Sequence, residues 1–421
     1  MCSKTKTNAT KGDETPALVP KLRFPEFRDA ERWEYSPLSE LLMKSPDYGV
    51  NAAAVAFTEG LPQYLRITDI SDDGTYLSAK KVSVDLTPTE EIFLEEGDIV
   101  LARTGASVGK SYRYRKEDGR LVFAGFLIRL RPNSKRLDST YLANFLITNQ
   151  YWKWVAATSA RSGQPGINSV EYGSLEIPLP AVFAEQQKIA ECLSSVDELM
   201  AAQARKVDAL KTHKKGLMQQ LFPREGETQP RLRFPEFQNA REWEVKAIGD
   251  VFKVTRGEVL AMTLVKEEPS NEAPYPVYSS QTKNKGLAGY YSAYLYKDAI
   301  TWTTDGANAG DVNFRVGKFY CTNVCGVLLN TNGHANACIA ALLNSVTRSH
   351  VSYVGNPKLM NGVMAKIEIP FPSVPEQHRI ATCLSSLDDL IAAETQKHAA
   401  LQRHKRGLMQ QLFPSPEANA G

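Results

Sequence analysis

Two segments of the chain carry apolar side chains at alternating steps of three and four residues, the spacing of helices that pack along one face. The segments begin at Glu185 and Glu376 and run to the Phe-Pro pairs at 222–223 and 413–414. Pro375 suits the first turn of the second helix. The pattern predicts two helices of about 36 residues, each roughly 54 Å long. Their predicted seam residues are Ile189, Leu193, Val196, Met200, Gln203, Val207, Leu210, Leu217, Ile380, Leu384, Leu387, Ile391, Glu394, Leu401 and Leu408.

Polar side chains interrupt this seam at matching places in both segments. Gln203 matches Glu394, and Lys214 matches Lys405. If the helices pair antiparallel about their midpoints, Gln203 and Glu394 become neighbours and can set the register. The alternative, that these long side chains only reach solvent, stays open at this point.

The helical segments belong to a tandem duplication. About two-thirds of their aligned positions are identical, and the hexapeptide Leu-Arg-Phe-Pro-Glu-Phe occurs at 22–27 and at 232–237. A Trp-Glu pair follows each hexapeptide, at 33–34 and 243–244. A repeated frame of this kind predicts two copies of one architecture.

The frame encloses two inserts, residues 38–176 and 248–366, that share little sequence. Short β-type runs between glycines and charged turns predict strands, and single helices are predicted at 139–157 and 335–344. Each insert should therefore be an α+β domain. The predicted bounds are a tail at 1–21, an insert domain at 22–180, a helix at 181–223, a linker at 224–231, an insert domain at 232–371, a helix at 372–414 and a tail at 415–421.

Composition adds little about partners. The 421 residues hold 50 Lys+Arg against 47 Asp+Glu, a formal charge of +3, so nucleic-acid binding would depend on local patches. No apolar run is long enough to cross a bilayer and the N-terminal residues are polar, which predicts a cytoplasmic protein. The 6 cysteines are irregularly placed, which argues against a disulfide framework.

Candidate catalytic motifs are weak. Gly105–Ser111 resembles a phosphate-binding P-loop, but it has three residues between its glycines instead of four, and a strand pattern follows where a helix is needed. Asn356-Pro357-Lys358 lacks the second proline and the aromatic residue of an adenine methyltransferase motif. Cys321 and Cys325 have no second Cys/His pair at suitable spacing, so no metal site is predicted. The sequence favours a binding protein without catalytic groups.

Basic and amide side chains in both inserts could contact nucleic acid. Arginine, glutamine and asparagine can read base edges, and lysine, serine and threonine can contact phosphates. The candidate DNA-binding residues are Arg103, Ser107, Lys110, Arg113, Arg115, Arg161, Gln164, Asn168, Gln281, Lys283, Lys285, Thr304, Asn308, Arg315 and Lys358.

Taken in order, these motifs resemble the specificity subunit of type I restriction-modification enzymes. The resemblance rests on the two hexapeptides, on Gly-Asp-Ile-Val-Leu-Ala-Arg-Thr-Gly at 97–105, on Gly-Gln-Pro-Gly-Ile-Asn at 163–168, and on Glu-Gln leading into each long helix. It covers the chain from Leu22 to Pro414. The second insert departs from it, because Gly-Asn-Pro-Lys at 355–358 replaces the Gly-Gln-Pro segment.

The resemblance implies an α+β fold with two target-recognition domains, separated by two long antiparallel helices that are conserved in that family and coiled-coil-like, in a pseudo-two-fold tandem repeat. It implies a non-catalytic subunit that reads an asymmetric, bipartite DNA sequence. The implied partners are double-stranded DNA, two modification (methyltransferase) subunits that use S-adenosylmethionine, and restriction subunits that use ATP and Mg²⁺. The chain itself would bind no cofactor.

Two other functions stay open from the residues alone. A protein scaffold would use the helix pair to join partners without DNA, and the apolar seam is compatible with it. An enzyme with a degenerate P-loop is the third reading.

Overall fold

The computed structural model describes residues 18–87, 89–160, 164–224, 226–280 and 284–414. The chain divides into two compact units, and both long helices cross the division. Unit 1 contains the chain up to Ala202 and again from His398, and unit 2 contains Gln203–Lys397. Each unit therefore holds one insert and half of each long helix.

Unit 1 builds two small sheets and three short helices inside its insert. One sheet has the strand order β2-β9-β6-β7, and the other has the order β3-β5-β4-β8, with β4 and β8 parallel. The elements are β1 (Glu34–Pro37), β2 (Asp47–Tyr48), β3 (Ala54–Ala56), β4 (Gln63–Leu65), β5 (Val82–Val84), β6 (Ile99–Ala102), β7 (Ser111–Arg113), β8 (Leu121–Phe123), β9 (Leu127–Leu130), α1 (Ser139–Phe145), α2 (Asn149–Ser159), α3 (Ser169–Gly173), β10 (Glu176–Leu179) and α4 (Phe183–Leu221).

Unit 2 builds one larger sheet of the order β12-β17-β15-β16-β13-β14, in which β13 and β16 are parallel. Its elements are β11 (Glu244–Ala247), α5 (Ile248–Val251), β12 (Lys253–Arg256), β13 (Tyr275–Tyr278), β14 (Leu287–Tyr291), β15 (Tyr296–Thr303), β16 (Val312–Cys321), β17 (Cys325–Leu329), α6 (Ala337–Val346), α7 (Asn361–Lys366), β18 (Glu368–Phe371) and α8 (Val374–Leu412).

The duplicated frame has the same geometry in both units. Each insert leaves and re-enters the frame through a two-stranded antiparallel sheet, β1 with β10 and β11 with β18. Pro37 pairs with Glu176, and Ala247 pairs with Glu368, so the register is identical. The two copies of the hexapeptide and the Trp-Glu pair therefore build one structural unit twice, as the repeat predicts.

A half-buried arginine of the hexapeptide bonds a buried glutamate at the start of each long helix. Arg23 donates from Nε and Nη2 to the Glu185 carboxylate at 2.8 Å each, and its other bonds go to the carbonyls of Ala30 and Glu31. This carboxylate, 1% exposed, lies in the first turn of α4, where a negative charge is favourable.

Unit 2 repeats the contact, with Arg233 donating to Glu376 at 2.7 and 2.8 Å. The Glu376 side chain is also 1% exposed. The Glu-Gln pair that opens each helical segment is thereby explained, because its glutamate is the partner of the hexapeptide arginine.

The hexapeptide also contacts the far end of a long helix. In unit 1 the Leu22 N–H donates to the Gln411 carbonyl at 3.0 Å, and in unit 2 the Leu232 N–H donates to the Gln220 carbonyl at 2.9 Å. These bonds use carbonyls of the last turn that have no partner within the helix.

The helices are antiparallel within each unit, as predicted. In unit 1 the Lys405 Nζ lies 2.8 Å from an Asp197 carboxylate oxygen, and in unit 2 the Lys214 Nζ lies 2.6 Å from Asp388 Oδ1. The alternative that these lysine side chains only reach solvent is therefore wrong, because each pairs with an aspartate of the other helix. All fifteen predicted seam residues are buried or half-buried.

The predicted central contact also forms, inside unit 2. The Gln203 side-chain amide donates to the backbone carbonyl of Glu394 at 2.9 Å and to its carboxylate. Lys206 donates to the other carboxylate oxygen, and these two bonds lower the pKa of Glu394.

The single helix predicted at 139–157 is wrong, because two helices form there. α1 ends at Phe145, and the Thr148 hydroxyl caps α2 by accepting from the Tyr151 N–H. Such a cap needs extended backbone at Thr148, which interrupts a continuous helix. In the second insert, α6 spans 337–346 where 335–344 is predicted.

No helix within the described residues is long and apolar enough to cross a membrane.

Replacing Glu185 with alanine should lower the free energy of unfolding by about 1.5–3 kcal/mol, because the half-buried Arg23 would lose its hydrogen bonds to a charged, buried partner. Denaturant unfolding followed by tryptophan fluorescence measures the loss, since Trp33 of the same frame is buried. Glu26→Ala is the matched control, because Glu26 and Lys188 form a half-exposed pair of the same unit. That control should change stability little. Equal losses in the two variants would contradict the role of the buried pair.

Candidate nucleic-acid interface

Two loops of the first insert are joined by backbone hydrogen bonds into one surface. The Gly105 N–H donates to the Pro165 carbonyl at 3.0 Å, and the Ile167 N–H donates to the Arg103 carbonyl at 2.9 Å. The loop that follows β6 therefore runs beside the loop that precedes α3. We call these two segments, residues 102–110 and 164–168, platform 1.

The second insert repeats this arrangement with different residues. The Gly306 N–H donates to the Pro357 carbonyl at 3.0 Å, and the Leu359 N–H donates to the Thr304 carbonyl at 2.9 Å. We call the corresponding segments, residues 303–311 and 356–360, platform 2. The Gly-Asn-Pro-Lys segment thus occupies the place of Gly-Gln-Pro-Gly, although the sequence departs there.

The turn that closes the first loop of each platform is also shared. The Gly109 N–H donates to the Ala102 carbonyl at 3.0 Å, and the Gly310 N–H donates to the Thr303 carbonyl at 2.9 Å. Both glycines have φ of +88°, a left-handed conformation that favours glycine. The backbone of the platform is therefore duplicated where the side chains are not.

Matched positions of the two platforms carry side chains of different charge. Arg103 of platform 1 corresponds to Thr304 of platform 2, and Lys110 corresponds to Asp311. Lys110 Nζ lies 2.8 Å from Asp72. The two surfaces therefore offer different charge patterns on one backbone geometry.

In platform 1 the structure places Gln164 beside Gly105, two residues after Arg103. A Cβ on Gly105 would lie 3.2 Å from Gln164 Nε2, so that amide lies over the loop that begins with Arg103. Gln164 itself is exposed. Asn168 caps α3, since its Oδ1 accepts from the next helix N–H groups at 3.0 and 2.9 Å. Its side-chain oxygen is therefore already bonded.

The other basic candidates of the first insert lie in ion pairs. Arg113 Nη1 is 3.2 Å from Glu96, and Arg115 is 3.1 Å from Glu117. Ser107 lies in a half-buried turn of platform 1. For these residues DNA contact stays a prediction.

In the second insert two candidates are buried. Thr304 has no exposed surface, and its hydroxyl bonds the Val324 carbonyl at 2.9 Å. Arg315 is 8% exposed, lies 3.7 Å from the Tyr278 ring centroid and donates to Thr301 Oγ1 at 3.0 Å. Burial lowers its pKa. Neither side chain offers its polar atoms to a molecule outside the protein.

The remaining candidates of the second insert are accessible. Lys358 is exposed, with Nζ 3.9 Å from Asp305 Oδ1, and Asn308 is half-buried in platform 2. Lys285 is exposed at φ +52°, and its carbonyl accepts from Arg315. Arg161, Gln281 and Lys283 lie outside the described residues.

Sequence reasoning missed Tyr48 at the edge of platform 1. The Arg103 guanidinium carbon lies 4.8 Å from the Tyr48 ring centroid. The Tyr48 hydroxyl donates to Ser169 Oγ at 3.2 Å and accepts from the Ser169 N–H at 3.1 Å, which lowers the pKa of Tyr48. The available signal was the glycine that follows, Gly49, which marks a close backbone approach.

That close approach occurs in both inserts. A Cβ on Gly49 would lie 2.2 Å from the Phe123 carbonyl oxygen, and a Cβ on Gly257 would lie 2.3 Å from the Cys321 carbonyl oxygen. The first strand of each insert, β2 or β12, therefore ends against a neighbouring loop, and only glycine fits at that point.

No cluster of three or more potential metal ligands occurs within the described ranges. Burial raises the pKa of Cys325 to about 11 and that of Cys321 further, so both thiols are protonated near neutral pH. A strand, β7, follows the Gly105–Ser107 turn, as predicted, whereas a P-loop requires a helix there.

Comparisons with known proteins agree on one family. The sequence model described as "Type I restriction modification DNA specificity domain" matches residues 31–212 and 240–403. A Methanocaldococcus jannaschii protein, named as the proposed MjaX type I restriction enzyme specificity subunit, is 26% identical over 91% of this chain and 93% of its own length. A Mycoplasma pneumoniae protein, named as the N-terminal part of a proposed type I specificity subunit, is 39% identical over 33% of this chain and 74% of its own length. The crystal structure of a type I S subunit from M. genitalium superposes with a TM-score of 0.63 at 17% identity, covering 94% of this chain and 100% of that one.

Gly49→Ala and Gly257→Ala should each lower the thermal midpoint, because the added methyl group meets backbone carbonyl oxygens that cannot rotate away. Gly216→Ala is the matched control, since no atom lies within 4 Å of its Cβ position and it stands inside α4. That control should stabilise by about 0.5–1 kcal/mol through helix propensity. Calorimetry measures the thermal midpoints of the three variants and the wild type. A Gly49→Ala or Gly257→Ala protein with the wild-type midpoint would contradict the close approach.

Proposed function

Because this chain belongs to the type I restriction-modification DNA specificity family, we propose that it is the subunit that recognises DNA in such a system and reads an asymmetric, bipartite sequence. Each insert would read one part of that sequence with its own platform. Partner subunits would be directed to the site that the two inserts select.

One observation carries this proposal: the same two-loop platform occurs twice with different side chains. A shared backbone geometry supports one common task. The side chains at matched positions differ, Arg103 and Lys110 in platform 1 and Thr304 and Asp311 in platform 2, which supports two different targets. Because side chains read base edges, unlike platforms imply unlike half-sites.

The duplicated frame supports two copies of one partner. Tyr35 of β1 and Val245 of β11 occupy the same register position, and they are 40% and 50% exposed. Leu22 and Leu232 also match, at 39% and 41% exposure. Equivalent exposed apolar side chains offer the same partner two equivalent contacts. We assign these contacts to two modification subunits.

The chemistry would belong to the partners. The modification subunits would use S-adenosylmethionine, and restriction subunits would use ATP and Mg²⁺, with no cofactor held by this chain. The strand that follows Gly105–Ser107 supports a non-catalytic role, because it leaves that turn without the helix of a nucleotide-binding loop.

The complex of this chain with its modification subunits should shift DNA that carries one asymmetric bipartite sequence. Mapping of methylated adenine in cells with and without the chain identifies that sequence. Equal binding to all sequences at moderate salt would overturn the proposal.

Lys110→Ala and Gln164→Ala should have different effects on DNA binding. Lysine contacts phosphate as a point charge, so its loss should weaken binding about uniformly across sequences and reduce the salt dependence. Gln164 is exposed on platform 1, and its loss should relax the preference in one half-site only. Binding to a panel of single-base variants separates the two effects, and identical profiles would contradict this division.

Tyr35→Glu and Val245→Glu should each remove one partner copy, because a buried carboxylate at an apolar contact is costly. Native mass spectrometry of the complex should show one modification subunit in each single variant and none in the double variant. Val316→Glu, at a 77% exposed position of the second insert, is the control and should keep both. If the Tyr35 and Val245 variants each retain two modification subunits, these side chains are not the contact.

A further inference from the structure

Cations in and next to platform 1 differ in whether a carboxylate lies at ion-pair distance from them. Lys110 pairs with Asp72 at 2.8 Å, and Arg113 pairs with Glu96 at 3.2 Å. Within the described part of the chain, no carboxylate lies at ion-pair distance from Arg103. Its guanidinium therefore keeps its charge and hydrogen-bond donors available for another molecule.

Arg103 is also held in place. Its guanidinium lies over the Tyr48 ring, and the Tyr48 hydroxyl is bonded twice to Ser169. Stacking of this kind orients the planar group without using its N–H donors. An arginine held in this way loses less conformational entropy when it binds.

Platform 2 has no arginine at the matching position, because Thr304 stands there and is buried. An arginine occurs instead at the position of Tyr48. Tyr48 is the last residue of β2 and precedes Gly49, and Arg256 is the last residue of β12 and precedes Gly257. The shared approach of the two glycines to the neighbouring loop fixes this correspondence.

Arg256 has unused hydrogen-bonding capacity. Its Nε atom is buried without a hydrogen-bond partner among the described residues, and the same holds for Asn361 Oδ1. The Asn361 amide donates to the Thr255 carbonyl at 3.3 Å, so Asn361 is bonded to β12 one residue before Arg256. Buried polar atoms without a partner are costly unless another molecule completes them.

The backbone around Arg256 is fixed. The Tyr296 hydroxyl donates to its carbonyl at 2.7 Å, and β12 is paired with β17 through Arg256 itself. In the described ranges no carboxylate lies at ion-pair distance from Arg256. Both inserts thus hold a guanidinium without a carboxylate partner at corresponding places, Arg103 in the loop after β6 and Arg256 at the end of β12.

We propose that Arg103 and Arg256 are specificity-determining residues, and that each reads a guanine in the major groove of the half-site bound by its own insert. The inference rests on the proposed DNA recognition and extends it to the base read. A guanidinium presents two parallel N–H groups that match the O6 and N7 acceptors of guanine, a pattern that no other base offers. Tyr48 acts as a positioning residue for Arg103.

Arg103→Lys and Arg256→Lys test the proposal in the full complex with modification subunits. Lysine keeps the charge but not the planar pair of donors. In each variant, the ratio of methylation between DNA with guanine and DNA with another base at one position should fall by about 5- to 150-fold. Methylation of DNA with single-base substitutions measures this ratio. The positions affected should lie in opposite half-sites. Tyr48→Leu should cause a smaller loss at the position that Arg103 reads.

Arg120→Lys and Arg348→Lys are matched controls, because these arginines already pair with Glu90 and Asp311. Both should leave the recognised sequence unchanged. A wild-type complex with no sequence preference would overturn the proposed function and this inference with it. A wild-type complex with a bipartite preference that both lysine variants keep would overturn this inference alone. A uniform loss of binding without a changed sequence would assign the arginines to phosphate and also overturn it.

Discussion

The buried arginine-glutamate contact of the frame is the constraint on which the rest of the structure depends. Arg23 with Glu185, and Arg233 with Glu376, join the hexapeptide to the first turn of each long helix. Each arginine also bonds two carbonyls of the segment that leads into the two-stranded sheet. One side chain therefore fixes the direction of the helix and the entry of the insert together. Because each glutamate is buried, removal of its arginine would leave a buried charge without a partner.

The sequence alone was sufficient for the frame and insufficient for the inserts, for a physical reason. The frame is held by side-chain contacts, such as Lys214 with Asp388, and those leave an identity signal in a duplicated sequence. The platforms are held by backbone hydrogen bonds, which any residue can make. Gly105 with Gly306 and Gly109 with Gly310 are the residues that the backbone geometry requires, and two shared glycines are too weak a signal to align two diverged loops.

Candidate site residues follow the same division. Residue type identified Arg103 and Gln164, which both lie in platform 1. It also selected Thr304 and Arg315, which are buried, because residue type does not reveal which face of a strand is covered. Arg256 was not among the candidates from sequence. Its environment is visible only when β12 is compared with β2 through their glycines.

The register of the two-stranded sheets has a further consequence for how such proteins diversify. The insert departs after Pro37 and returns at Glu176, and the second departs after Ala247 and returns at Glu368. Those points are neighbours across one strand spacing, about 4.8 Å. The frame therefore requires of an insert that its two ends lie side by side, one strand spacing apart. Exchange of whole inserts at these junctions, even between the two halves, would create new pairings of target sequences while the ion pairs between the two long helices are kept.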